Sequence, residues 1–337
     1  MNFERVKKTA VRFGWPAYRL SQAREAVYGR GISSWAEAAA LPAEIRAGLE
    51  RECPVLSFSP VKILSSKKGG AHKALLSLRD GARIETVLLK PIESHWSVCV
   101  STQVGCPVGC SFCATGKMGF TRNLSAEEIA DQPLFWLGWL RKKEKGARIA
   151  SVVFMGMGEP LLNYACVIDA ANVLANPDFL GIGRRHISVS TAGVAPAIEK
   201  LARDLPQANL ALSLHSADEE KRDALVPLNR KYCLSDLKKS LEEYLRRAGR
   251  QVFLEYAVLK GINDTPKDCR LLAEWIKSFG PASYLLHVNL IASNGPMKPS
   301  PEDVRALAAA LSGAGIKVSV RKSLGSDILA ACGQLAT

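Results

Sequence analysis

The chain has 337 residues, 47% of them hydrophobic, which is enough for one large core with an appendage. Its 45 Lys and Arg against 32 Asp and Glu leave a net charge of +13, favouring a polyanionic partner such as RNA or DNA over a membrane surface. No apolar run is long enough to span a bilayer, and MNFERVKKTAVRFGW lacks the apolar core of an export signal, so a cytoplasmic protein is expected.

Residues 1–52 read as helical, with Ser21 placed to cap QAREAVYGRG and Ser34 with Glu37 forming a capping-box pattern before AEAAALPAEIRAGLE. They form an accessory module that either docks nucleic acid or simply packs on the main domain. Residues 53–95 change texture. Short alternating runs, broken by Lys-Gly-Gly and by Asp80-Gly81, predict a small antiparallel β extension with a hairpin at the Asp-Gly pair. Glu85 falls inside the last of these strands, where position alone puts a lone carboxylate on the solvated face.

From 96 to 337 strand and helix patterns alternate. Strands are expected at WSVCVST, IASVVFMG, HISVST, NLALSLH, QVFLEYAVL and LLHVNLI, with helical periodicity between them. About six such units with apolar strands predict an α/β fold, a partial (β/α)6 barrel on a parallel sheet. Pro133 is expected to kink or break the first helix. Functional groups of parallel barrels gather at the C-terminal ends of strands. Polar residues fall there in this chain: Gly156, Gly158 and Glu159, then Ser190 and Thr191, then Ser213 with Leu214 and His215, then Asn294. His215 reads equally as a ligand contact or as a satisfied structural histidine.

The cysteines divide into groups. Cys106, Cys110 and Cys113 form a C-x-x-x-C-x-x-C run after the first barrel strand, at the same rim. Three thiolates so close converge on one soft metal centre, and they leave a four-iron cluster with one iron open to an outside molecule. Phe112 would shield one side of it. A zinc site would need a fourth Cys or His; upstream only His95 and Cys99 are near, and the next histidine downstream is His186. Cys332, in GSDILAACGQL near the end of the chain, is placed to reach into an open barrel mouth. Cys53, Cys166, Cys233 and Cys269 have no partner pattern and read as ordinary thiols. Basic clusters at Lys67-Lys68 with Lys73, Arg141-Lys142-Lys143, Arg184-Arg185, Arg246-Arg247 with Arg250, and Arg321-Lys322 together point to nucleic acid.

The cysteine run is the pattern of radical S-adenosylmethionine (SAM) enzymes. Taken with GCPVGCSFCATGKMGFTRNL, MGMGEPLLN, ISVSTAGV, LSLHS followed by VPLN, and GSDILAACGQL, the chain resembles the RlmN/Cfr group of radical SAM RNA methyltransferases. The resemblance implies a 4Fe–4S cluster on Cys106, Cys110 and Cys113. It implies SAM contacts at Gly158, Glu159, Ser190, Ser213, Leu214, His215 and Asn294. It makes Cys332 the cysteine that is itself methylated, Cys99 its resolving partner, and Glu85, in an IETV motif, the proton acceptor. The substrate it implies is an adenine of 23S rRNA, with tRNA as a second substrate for RlmN-type enzymes. Implied too are two SAM per turnover and a disulfide between Cys99 and Cys332 on product release. A reductant such as flavodoxin or ferredoxin and a monomer are expected. MGMGEPLLN and GKMGFTRNL favour methylation at C2 as in RlmN, while the GSDI segment leans toward C8 as in Cfr. A non-catalytic zinc-stabilised RNA-binding protein is the alternative from a different class.

Overall fold

The computed structural model describes residues 3–93, 95–144, 146–295 and 297–336. Helices α1 (Phe3–Arg12), α2 (Ala17–Arg24) and α3 (Ala43–Glu52) make up the N-terminal module. Ser21 does not cap a helix. It lies inside α2, which starts after Pro16, and the chain then continues into a wider π turn over Glu25–Arg30. A proline suits a helix start because its fixed φ is helical and its missing N–H would be unbonded there anyway. Both halves of the Ser34–Glu37 capping box form, but they cap a single turn, because Pro42 starts α3 afresh. Trp35 is fully buried with its indole N–H on the Cys53 carbonyl at 2.7 Å. Phe3, Val27, Trp35 and Leu49 belong to the same apolar core as the barrel strands, so the module packs on the main body.

β1 (Phe58–Ser65), β2 (Ala71–Leu78) and β3 (Arg83–Ile92) are antiparallel. The predicted hairpin lies between β2 and β3, with Gly81 at φ 83° and Asp80 accepting the Ala82 N–H at 3.1 Å. β3 also pairs antiparallel with β4 (His95–Cys99), so the extension is continuous with the parallel sheet that β4 begins. A short ribbon follows, β5 (Gln103–Gly105) and β6 (Phe120–Asn123), and the cysteine loop with helix α4 (Ala114–Lys117) lies between its strands.

The alternation then runs α5 (Ala126–Arg141), β7 (Ile149–Phe154), α6 (Tyr164–Ala175), β8 (Ile187–Thr191), α7 (Ala195–Asp204) and β9 (Asn209–Ser213). It continues through α8 (Glu219–Leu225), α9 (Leu234–Ala248), β10 (Val252–Val258), α10 (Pro266–Lys277), β11 (Leu286–Ala292), α11 (Pro301–Gly313) and β12 (Val318–Arg321). Among the described residues one sheet runs β1-β2-β3-β4-β7-β8-β9-β10-β11-β12, parallel from β4 onward. β12 is a parallel strand beyond those the hydrophobic pattern predicted. Its four half-exposed residues, Val-Ser-Val-Arg, are too few and too polar to stand out. The expected break at Pro133 is absent, and α5 runs through it. Gln132 beside it adds bonds across that turn, donating to the carbonyls of Glu128 (3.1 Å) and Ser101 (2.9 Å) and accepting the Ser101 N–H (2.8 Å).

The sheet curls, and the C-terminal tail closes the gap. Arg321 on β12 reaches the Met155 sulfur, just past β7, at 3.5 Å and the Glu255 carboxylate on β10 at 3.3 Å. Beyond β12 the tail crosses to the first strands. Asp327 accepts from the Ser66 hydroxyl (2.8 Å) and the Lys67 N–H (2.9 Å), and the Leu329 carbonyl accepts from Lys73 Nζ (3.1 Å). No helix among the described residues is long and apolar enough to cross a membrane.

Candidate active site

The cysteine loop is held at both ends. Cys106 N–H donates to the Gly119 carbonyl at 2.7 Å, Cys113 N–H turns back to the Cys110 carbonyl at 3.1 Å, and Ala114 N–H takes the tail carbonyl of Gly333 at 2.8 Å. Burial pushes the Cys106 thiol up to about 12 and the Cys110 thiol higher still, and the neighbouring thiols with Glu159 push the same way. Acidic groups crowded in this manner suit a positively charged inorganic core. Among the described residues no three Cys, His, Asp or Glu side chains are drawn together as around one ion. Three cysteines with no fourth Cys or His in the loop fit the three protein ligands of an iron–sulfur cluster with an open iron better than a closed four-ligand zinc site.

The rim residues fall into two sets. Glu159 is buried and accepts the N–H groups of Leu161 (3.0 Å) and Ala192 (2.7 Å), joining the β7 loop to the end of β8. Burial raises its carboxyl to about 6 against those bonds. Gly156 and Gly158 serve chain-to-chain packing: a Cβ would stand 2.6 Å from the Val100 carbonyl at Gly156 and 2.6 Å from Gln103 at Gly158, which also has φ 100°. Ser190 and Ser213, at the ends of β8 and β9, face each other with hydroxyls 3.3 Å apart. Asn294 lies past β11 and hydrogen-bonds Ser323 at 3.4 Å, apart from that pair.

His215 answers the question its position raised. It has φ 59°, a strained region for a non-glycine residue, and Asn263 holds its carbonyl at 2.7 Å. Its Nδ1 accepts the Ala257 N–H at 2.9 Å, so the proton of the neutral ring is on Nε2. The ring packs edge-on against Phe112, centroids 4.7 Å apart, linking it to the cysteine loop. Burial, helped by Arg222, lowers its pKa to about 3. A depressed histidine contributes stability that is complete above its unfolded value near 6.5 and is lost as pH falls toward 3. Asn tolerates positive φ and its amide oxygen can take the place of Nδ1. His215→Asn is therefore expected to flatten the stability profile below pH 6.5 by about 1.4 kcal/mol per pH unit, measured by urea unfolding at pH 5 and 7.

The tail brings the remaining candidates together. Cys99 ends β4, buried, with its carbonyl accepting from Thr86 at 2.9 Å. Burial raises its thiol to about 12, with Cys332 adding to the rise and Arg321 opposing it. Cys332 is solvent-accessible, yet burial is the first cause of its raised pKa, and Arg321, Glu255 and Cys113 all act on it. Next to it in the tail, the Gly333 carbonyl accepts the Ala114 N–H at 2.8 Å, which ties this segment to the cysteine loop.

Glu85 is not on a wet face. It is 5% exposed, its Oε1 pairs with Lys73 Nζ at 2.8 Å, and its Oε2 accepts the tail N–H of Ala336 at 2.9 Å. Lys73, grouped with exposed basic residues in the sequence, is 7% exposed and turned inward. Arg321 likewise serves the interior. The signal for Lys73 was there, since on a strand it shares its face with the apolar Ala71 and Leu75. Removing one partner of a buried pair leaves an uncompensated charge. Lys73→Met is expected to cost about 3–5 kcal/mol in chemical denaturation, and adding Glu85→Gln to recover much of it.

A model of the radical SAM superfamily matches residues 100–272. The chain is 40% identical over 337 residues to the "Probable dual-specificity RNA methyltransferase RlmN" of Moorella thermoacetica, covering 98% of this chain and 94% of that one. It is 37% identical over 345 residues to the "Ribosomal RNA large subunit methyltransferase Cfr" of Lachnoclostridium phytofermentans, covering 99% and 97%. The crystal structure of a radical SAM methyltransferase from Sphaerobacter thermophilus matches with a TM-score of 0.91 at 37% identity, over 99% of this chain and 97% of that one. The chain belongs to the RlmN/Cfr group of radical SAM methyltransferases. Membership fixes the radical SAM chemistry and the fold. RlmN and Cfr relatives stand equally near, so it does not fix the position methylated.

Proposed function

We propose that the chain methylates C2 of an adenine in the peptidyl-transferase region of 23S rRNA, and the adenine 3′ of the anticodon in some tRNAs, with Cys332 as methyl carrier. The observation that supports this reading is the tail, whose backbone meets the cysteine loop at Gly333 and the Glu85 carboxylate at Ala336, both shortly after Cys332 in the chain. The basic net charge suits an RNA partner, and a base unstacked from a loop is the form that can enter a barrel mouth. Flavodoxin or ferredoxin is the class of reductant expected, acting on a monomer.

Cys106, Cys110 and Cys113 would hold a 4Fe–4S cluster, which with SAM bound supplies the one-electron chemistry that activates a methyl group. Gly158, Glu159, Ser190, Ser213, Leu214, His215 and Asn294 would hold SAM, with backbone, short hydroxyls and the Nε2–H of His215 as hydrogen-bonding groups. Cys332 loses its thiol proton and takes a methyl from one SAM by displacement. C2 of adenine, between two ring nitrogens, is too electron-poor to attack a methyl itself, so the methyl on Cys332 would first give up a hydrogen atom, which leaves in 5′-deoxyadenosine from a second SAM, and its carbon would then bond to C2. Glu85 then removes the C2 proton. Once the adduct has given back one electron to the cluster, Cys99 would attack the Cys332 sulfur, forming a disulfide and releasing the base, whose CH2 carbon takes up a proton to become the methyl group. Arg321 opposes the raised pKa of both thiols, which favours the thiolate each step needs.

C2 is favoured by MGMGEPLLN and GKMGFTRNL; the Cfr relatives and the GSDI segment support C8 as the second reading. Nuclease digestion of RNA treated with reconstituted enzyme, followed by mass spectrometry, decides between them. 2-Methyladenosine is expected, and 8-methyladenosine alone would overturn the C2 assignment.

A further inference from the structure

Arg222 on α8 is 1% exposed, yet each of its hydrogen bonds goes to a neutral oxygen. Nη1 donates to Asn229 Oδ1 at 2.9 Å, and Nη2 donates to the carbonyls of Ala192 (2.8 Å) and Ser213 (3.2 Å). Among the described residues it makes no ion pair. The nearby Glu219 and Asp223 accept instead from Asn229 Nδ2, at 2.9 and 2.7 Å. Its Nε is buried without a hydrogen-bond partner. A guanidinium taken out of water with no carboxylate in contact is unfavourable; Glu219 and Asp223 act on it only through space, which leaves room for a further negative charge.

The helix that carries Arg222 also carries the cysteine loop. The Leu225 carbonyl accepts the Ser111 N–H at 3.1 Å, and Leu225 and Val226 pack with Cys106, Cys110 and Phe112. Burial lowers the Arg222 pKa to about 10, and among the acidic groups opposing that, Cys110 acts ahead of Glu219 and Asp223.

We propose that Arg222 is the buried counter-charge of the iron–sulfur cluster and sets its reduction potential. The inference rests on the three-thiolate cluster reading given above. One electron from a low-potential donor adds negative charge to a centre already bearing three thiolates. A fixed cation in a dry, low-dielectric setting stabilises that added charge and favours the reduced form. Arg222 is a positioning residue here, acting through the cluster and not on substrate. Because Ala192 and Ser213 end the strands that line the rim, the same guanidinium also ties the cluster's support to the serine pair.

The test is a potentiometric titration of the full chain, anaerobically reconstituted with iron and sulfide and followed by electron paramagnetic resonance, with circular dichroism to confirm folding. Arg222→Met is expected to lower the reduced-to-oxidised ratio at fixed potential by about tenfold, which is about 59 mV for one electron. Arg222→Lys keeps the charge and is expected to stay within about twofold of the wild type, again as that ratio. Asp223→Asn preserves the acceptor for Asn229, removes a negative charge beside the guanidinium and is expected to shift the ratio the other way. It carries the test where Arg222→Met does not fold. A midpoint equal to wild type in whichever of Arg222→Met and Asp223→Asn holds a cluster overturns the proposal, as does altered iron retention with no change in midpoint. Wild-type protein that takes up no iron at all would instead overturn the cluster reading beneath it.

Discussion

Cys332→Ala is expected to abolish RNA methylation, with no product above background after many enzyme equivalents of SAM. The size of the effect follows from the chemistry of the acceptor. An electron-poor ring carbon cannot draw a methyl from SAM by displacement, so without a sulfur carrier no slower ordinary route remains. The fold should tolerate the change, because the tail is anchored elsewhere: Asp327 to Ser66 and Lys67, Leu329 to Lys73, Gly333 to Ala114, Leu335 to Thr115, and Ala336 to Glu85. SAM cleavage without RNA product should persist, measured as 5′-deoxyadenosine by liquid chromatography. Full methylation by the variant would refute the role given to Cys332.

Cys99→Ala is expected to stop the reaction later and leave a different trace. Carbon would already join Cys332 to the base, and no second thiol would be present to attack the sulfur. RNA should therefore accumulate covalently attached to protein, visible as a slow-migrating band on denaturing gels that survives reductant and disappears after nuclease. Net product should fall by about two to four orders of magnitude, the range for losing a positioned catalytic group. Cys99 ends β4 with its thiol buried, and burial raises its pKa to about 12, with Cys332 adding to the rise and Arg321 opposing it. Release of free methylated RNA at the wild-type rate, with no adduct, would remove Cys99 from the mechanism.

What could be read in advance depended on how local each feature was. The cysteine run is a short loop, so a donor set can be proposed from its spacing alone. The barrel strands from β4 to β11 are apolar enough to declare themselves, and the hairpin at Asp80-Gly81 is a matter of local backbone preference. Glu85 was misjudged from its strand because what covers it, the Ala336 backbone, comes from 251 residues away in the chain. Lys73 and Arg321 were assigned to a surface for the same reason: a basic side chain inside a sheet looks solvated until its partner is known. The Ser21 cap and a helix break at Pro133 are absent for another reason. Both follow correct local preferences that a proline start and a glutamine brace override.

The central claim is that Cys332 carries the methyl group, and the direct measurement is peptide mass spectrometry of the full chain incubated with methyl-deuterated SAM. The account predicts one labelled methyl group on the peptide that contains Cys332, absent from Cys332→Ala, with the label passing to RNA once reductant is supplied. Labelled RNA produced while the Cys332 peptide never carries label would contradict it.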